Sequence, residues 1–137
     1  MALTHLIDTS VVSRLGVRAV RAVIDPLASE GRIGRAGITD LEVGFGSRNA
    51  REWDQDQADL SVFELVETTA AHVQRARQVQ RILASRSQRG RKIPDLLIAA
   101  AAEEARLTLL HYDADFDLVA RATGQDCRWV VRAGSID

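Results

Sequence analysis

Short apolar runs alternate along this chain with stretches whose apolar residues recur every three or four positions. The first pattern marks buried strands and the second amphipathic helices. Residues 3–8 read as a strand, after which Thr9 and Ser10 offer capping hydroxyls to a turn carrying Val11, Val12 and Leu15. Residues 17–29 read as a helix with Val17, Val20, Val23, Ile24 and Leu27 on one side. Pro26, late in it, is expected to kink or end it. Residues 32–37 form a weak strand, and Thr39 or Asp40 is placed to cap a helix over 41–46. A polar helix over 49–60 and a strand over 61–66 follow. The span 69–87 reads as one long helix, on Ala70, Val73, Ala76, Val79, Ile82 and Leu83. A basic, glycine-containing loop fills 85–92. Strands at 108–111 and 127–131 flank a short helix ending near Ala122.

The stretch from Lys92 to Ala102 stands apart. Pro94 suits the first turn of a helix, where its missing N–H would be unpaired anyway. The seven residues after Asp95 are all apolar, four of them alanine, so this helix should be buried and close against a sheet. Asp95 then lies at the mouth of an apolar helix, where an unpaired charge is costly. Capping of the helix start, a basic partner or a metal ion would each offset that cost.

Strands alternating with helices predict an α/β fold with a mainly parallel sheet. Ligands of such sheets gather beyond the carboxyl ends of the strands. Asp8 ends the first strand, Glu42 follows the second, and Asp113 and Asp115 follow the strand ending at His111. The Asp95 helix runs back against its strand, which brings its start to the same edge. Taken singly, each residue has an ordinary reading: a cap for Asp8, a solvated position for Glu42, turn formers for Asp113 and Asp115. Together, four or five carboxylates with no lysine among them would repel one another. Oxygen ligands of this kind select hard cations, Mg²⁺ or Mn²⁺.

Composition narrows the possibilities. The chain has 137 residues, 46% hydrophobic and 27% charged, the size and balance of one domain. A net charge of −1 advertises no global polycation. The single Cys127 precludes an internal disulfide. No apolar run spans a membrane and no signal-peptide pattern opens the chain, so a cytoplasmic protein is expected. His5 and His72 offer no ligand pair, and no phosphate-binding glycine loop occurs. The loop 85–92 reads as a solvated segment or a phosphate contact. Trp53 and Trp129 read as packing residues or base-stacking platforms. Asp54, Asp56 and Asp59 read as a solvated helix face. Asp113, Asp115 and Asp117 do not complete a calcium loop, because Leu118 and Gly124 stand where Gly and Glu are required.

Four segments carry a resemblance: Leu-Ile-Asp-Thr-Ser (6–10), Ile-Thr-Asp-Leu-Glu (38–42), Ile-Pro-Asp-Leu-Leu-Ile-Ala-Ala-Ala-Ala (93–102) and Leu-His-Tyr-Asp-Ala-Asp-Phe-Asp (110–117). In this order and spacing they resemble PIN-domain ribonucleases, and more narrowly the VapC toxins of type II toxin–antitoxin pairs. The resemblance implies a single ribonuclease domain over 1–137. Its fold would be PIN-like and three-layered, with about five strands in a mainly parallel sheet flanked by helices. It implies an Mg²⁺- or Mn²⁺-dependent RNA endonuclease, homodimeric and inhibited by a VapB-like antitoxin. The acidic residues of the family match Asp8, Glu42, Asp95 and Asp113, with Asp115 as a fifth. Asp8, Asp95 and Asp113 are expected as direct metal ligands. Glu42 and Asp115 would bind through water, place a second ion or orient the nucleophile. Thr9, Arg14, Arg86, Arg89, Arg91 and Lys92 are the candidates for holding RNA. His111 departs from the family, where Thr or Ser is frequent, and is expected to pack or to touch substrate. The antitoxin is expected to direct an Arg or Lys at Asp8, Asp95 and Asp113 from a groove walled by the helices of Val11 and Val17. Alternatives are a housekeeping nuclease without an antitoxin, a Mg²⁺-dependent phosphatase and a non-enzymatic phosphorelay receiver. The phosphatase would want an Asp-x-Asp pair after the first strand. The receiver would want a lysine after the last strand, and residues 129–132 contain none.

Overall fold

A computed structural model describes residues 2–136. The chain opens with β1 (His5–Ile7), a single helical turn α1 (Thr9–Val12) and α2 (Arg18–Ser29). Next come β2 (Ile33–Ala36), α3 (Gly37–Phe45), α4 (Ala50–Leu60) and β3 (Glu64–Val66). The second half holds α5 (Ala70–Ser85), α6 (Ile93–Glu104), β4 (Thr108–His111), α7 (Asp115–Thr123) and β5 (Cys127–Trp129). Among the described residues five strands form one sheet in the order β3-β2-β1-β4-β5, every pairing parallel. The expected α/β architecture is therefore the one formed.

Alternation along the central strands divides the core, because successive side chains leave a strand on opposite faces. Leu6 and Leu109 join a cluster with Leu83, Leu96, Ile98 and Phe116, under α5, α6 and α7. Ile7 and Leu110 join a cluster with Val11, Val20, Ile24 and Phe63 on the other face. These two cores and the sheet between them make three layers. In α6, Ile98, Ala99, Ala100, Ala101 and Ala102 are all buried. Gly34 in β2 answers to a close approach: a Cβ there would lie 2.9 Å from Leu3 Cδ1 and 3.0 Å from the Glu64 carbonyl oxygen.

Several boundaries differ from the sequence expectation. Helix α3 starts at Gly37, so Thr39 and Asp40 lie inside it rather than capping it. Asp40 instead receives two hydrogen bonds from Arg35, at 2.6 and 3.1 Å. Pro26 does not end α2, which continues to Ser29. Helix α5 stops at Ser85, and Ser87 turns the chain away at φ +52°. Strand β3 is shorter than expected because Ser61 caps α4 and Phe63 folds into the core. Among the described residues no helix is long and apolar enough to cross a membrane.

Candidate active site

The strand order reverses direction between β1 and β4, since β2 and β3 lie to one side of β1 and β5 lies beyond β4. A crevice opens beyond the carboxyl ends of the strands at such a switch point. Asp8 leaves β1 at that place and Asp113 leaves β4 beside it. The Asp8 amide donates to the Leu110 carbonyl at 2.9 Å, and the Tyr112 amide donates to the Ser10 hydroxyl at 2.9 Å. The two strand ends are thus tied together.

Asp8 is buried, 3% exposed. Its Oδ2 caps α1 by accepting from the Ser10 amide at 2.9 Å and the Ser10 hydroxyl at 2.5 Å. Burial raises its pKa, the Ser10 hydrogen bonds work against that, and the Glu42 charge adds to it. Glu42, in α3, accepts a hydrogen bond from the Thr9 hydroxyl at 2.6 Å. That hydroxyl lies 3.1 Å from the buried Thr39 hydroxyl. Thr9 is therefore engaged with Glu42, a link that its substrate-contact expectation did not include.

Asp95 is the third residue of α6, behind Pro94, and is 7% exposed. Burial and then the Asp8 charge push its pKa up to about 7, with Lys92 pulling the other way. Asp113 Oδ1 accepts from the Asp115 amide at 2.9 Å, a local turn that sets both carboxylates. On Asp113 burial works upward, but the Lys92 hydrogen bond, the Asp115 amide and the Lys92 charge leave its pKa lowered. One carboxylate oxygen each from Asp95, Asp113 and Asp115 lie within 4.8 Å of one another. Asp8 is not a member of that triad, but it faces Asp95 closely enough for the two charges to interact.

Lys92 alters the expected charge pattern. Its Nζ stands 2.9 Å from Asp113 Oδ2, 3.4 Å from Asp95 Oδ2 and 3.5 Å from Asp115 Oδ2. The carboxylate group therefore does contain a lysine, contrary to the sequence expectation: from the N-cap position of α6 the Lys92 side chain reaches across it while staying 57% exposed. The hydrogen bond to Asp113 leads in raising the ammonium's pKa above its ordinary value. Arg89 donates from Nε to Asp115 Oδ1 at 3.1 Å. Arg14 lies 4.7 Å above the Tyr112 ring and donates to the Ser10 carbonyl at 2.7 Å. Arg86 and Arg91 are exposed and make none of these carboxylate contacts.

Packing explains the residues around the centre. His111 is fully buried, 5.0 Å from Phe116 and 5.1 Å from Trp129 between ring centroids. Its Nδ1 accepts from the Asp113 amide at 3.2 Å, and burial pushes its pKa down to about 4, so it packs as a neutral ring. Trp129 donates from Nε1 to Asp117 at 3.1 Å. Trp53 lies over Gly44, where a Cβ would come 2.6 Å from its Nε1. Trp129 is thus engaged in packing, whereas Trp53 keeps 48% of its surface exposed. Ser10 and Thr39, which the sequence offers as caps, also hold the site, and their closeness in sequence to Asp8 and Glu42 is the signal for it.

The donor set suits a hard divalent cation on structural grounds. Among the described residues, Asp8 Oδ1 is a buried oxygen without a hydrogen bond, and Asp95 Oδ2 is buried with only the Lys92 ammonium beside it at 3.4 Å. Three further features agree: all the donors are oxygens, the triad spans no more than 4.8 Å, and no thiolate or imidazole intrudes.

Comparison with known proteins places this geometry. Residues 5–122 match the PIN domain. Over 137 residues, the full length of both chains, the protein is 60% identical to Ribonuclease VapC51 of Mycobacterium tuberculosis. It is 37% identical to Ribonuclease VapC21 of the same species, over 98% of this chain and 99% of that one. Among solved structures, DNA-bound VapBC from Salmonella typhimurium shares the fold with a TM-score of 0.78 at 18% identity, covering 94% of this chain and 99% of that chain. VapBC-5 from Mycobacterium tuberculosis does so with a TM-score of 0.67 at 23% identity, covering 93% and 98%. The domain match and the full-length identity make this chain a PIN-domain protein of the VapC family.

Proposed function

We propose that residues 1–137 act as one PIN-like ribonuclease domain, a metal-dependent endoribonuclease that serves as the toxin of a type II toxin–antitoxin pair. The observation that carries this reading is the Asp95–Asp113–Asp115 triad at the β1–β4 switch point, with Asp8 facing Asp95, its buried Oδ1 without a hydrogen bond, and Glu42 beside Asp8. Kinship with chains named as ribonucleases supplies the substrate class. Mg²⁺ is the proposed ion, with Mn²⁺ as a substitute, and the cytoplasm the proposed site of action.

Asp95, Asp113 and Asp115 would hold the ion through the triad, with Asp8 Oδ1 facing Asp95 from the other strand end. When bound, a divalent cation lowers the pKa of water and neutralises phosphate charge. The chain's own residues arrange the remainder. Ser10 fixes Asp8 through two hydrogen bonds and leaves Oδ1 free. Thr9 turns the Glu42 carboxylate toward the same crevice, where it can orient a water. His111 holds the Asp113 amide, which fixes the start of the turn. Arg89 and Lys92 stand at the carboxylates and Arg14 beside Ser10, and with Arg86 and Arg91 they are the proposed cations for RNA, since guanidinium groups suit phosphate oxygens. Removing divalent ions with EDTA should abolish cleavage of single-stranded RNA, and Mg²⁺ or Mn²⁺ should restore it. Undiminished cleavage in EDTA would overturn the metal mechanism.

A partner reading rests on surface. A groove of about 430 Å³ runs beside the acidic centre, lined by Val12, Leu15, Val43, Leu60 and Phe63, with Thr9 and Glu42 at its edge. Residues of α1, α3 and α4 line it, and none of α2 does. Leu41 and Phe45 on α3 are exposed. An apolar antitoxin segment fits this groove and would bring an Arg or Lys to the carboxylates at its end. For a homodimer, the exposed Val73 and Ile93 beside half-buried Leu97 offer a second apolar face along α5 and α6.

A further inference from the structure

Lys92 is the only lysine in the chain. Its ammonium touches all three members of the triad, at 2.9, 3.4 and 3.5 Å. These are the carboxylates whose oxygens gather within 4.8 Å. The backbone that carries it is held down on both sides. Lys92 is the N-cap residue of α6. Gly90, two residues earlier, is buried at φ +88°, so close to α7 that a Cβ would lie 3.2 Å from the Asp115 carbonyl oxygen. Arg89 fastens the same loop to Asp115 Oδ1 at 3.1 Å. The Lys92 side chain, in contrast, is 57% exposed and has solvent to swing into.

An ammonium and a small divalent cation cannot both sit among these oxygens. Hard-cation ligands close to about 2.1 Å from the ion, and two positive centres so near each other repel. We propose that Lys92 is a built-in counter-cation of the acidic centre. It neutralises the triad in the metal-free protein, and a divalent cation binds by displacing it. This inference rests on the triad being the metal site. Two consequences follow from the geometry. The centre keeps its shape without metal, since three carboxylates are pinned by one tethered charge. Metal affinity is lower than the carboxylates alone would give, because part of the binding energy goes to breaking three ion pairs.

The test uses the full chain, stripped of metal and titrated with Mn²⁺ by calorimetry at fixed ionic strength. Lys92→Met removes the charge and keeps the stem. Arg121→Met removes an equal charge from the last turn of α7, on an exposed side chain. Lys92→Met should bind Mn²⁺ roughly tenfold or more tightly than wild type, as competition for one site requires, while Arg121→Met stays close to wild type. Melting in EDTA should show Lys92→Met less stable than wild type, with a larger gain on adding Mn²⁺. Equal Mn²⁺ affinity in wild type and Lys92→Met would overturn the counter-cation role while leaving the metal site standing. So would an equal tightening in Arg121→Met, which would be a general charge effect. Should Lys92→Met not fold, Lys92→Gln carries the same comparison. Absence of Mn²⁺ binding in every chain would overturn the metal site itself and the inference with it.

Discussion

Asp95 is 7% exposed and has a carboxylate oxygen that takes no hydrogen bond. Burial, then the charge of Asp8, pushes its pKa from 3.8 up to about 7. Between those values the folded, metal-free protein retains a proton that the unfolded chain has released. Stability therefore falls as pH rises through that window, and the penalty is complete above it. Denaturant unfolding in EDTA at the two ends of the window should show wild type losing more stability than Asp95→Asn. Equal losses would mean that Asp95 is not the strained carboxylate described. At this scale the places of Asp8, Asp95, Asp113 and Asp115 were legible because each ends a strand or begins a helix, positions that periodicity fixes; Glu42 lies inside α3. Lys92 was not, because the direction of a side chain at a loop–helix junction depends on what waits across the gap. Asp113 and Asp115 come from a segment some twenty residues later. His111 was left between packing and substrate contact, and burial decides for packing.

Helix α6 is the element that aims Asp95, and its alanines set how deeply it sits. Ala102 is fully buried, with Leu6 and Leu109 of the sheet in the same core cluster. Ala102→Leu has no space to enter and should cost about 1–3 kcal/mol of unfolding free energy. Denaturant unfolding measures it, and an unchanged midpoint would mean that α6 is less closely seated than described. This helix and strand β4 were legible almost to the residue, since Pro94 marks the start of one and an apolar run bounds the other. Helix α3 was not. Thr39 and Asp40 carry cap chemistry, yet Thr39 is buried inside α3 beside the Thr9 hydroxyl and Asp40 is held by Arg35. Long-range contacts outweighed a local signal there.

Across the whole molecule, parallel strands and layers followed from the alternation of elements, but the strand order did not. Only the placement of β1 beside β4 turns acidic residues from the two halves of the chain into one centre. The largely apolar groove that Thr9 and Glu42 help to line offers a surface for a partner. Co-expression with the product of the adjacent upstream reading frame should yield a complex in which RNA cleavage is suppressed. A bound neighbour that leaves cleavage unchanged, or no neighbour that binds, would favour a nuclease without an antitoxin. The central claim is that the carboxylates converging at the β1–β4 switch point perform RNA cleavage. The most direct test compares single-stranded RNA cleavage in Mn²⁺ by wild type and by Asp95→Asn, with circular dichroism confirming an unchanged fold. The substitution keeps the size of the side chain and removes its charge, and the rate should fall by more than about a hundredfold. Cleavage by Asp95→Asn at the wild-type rate would reduce Asp95 to a helix-start residue and contradict the account.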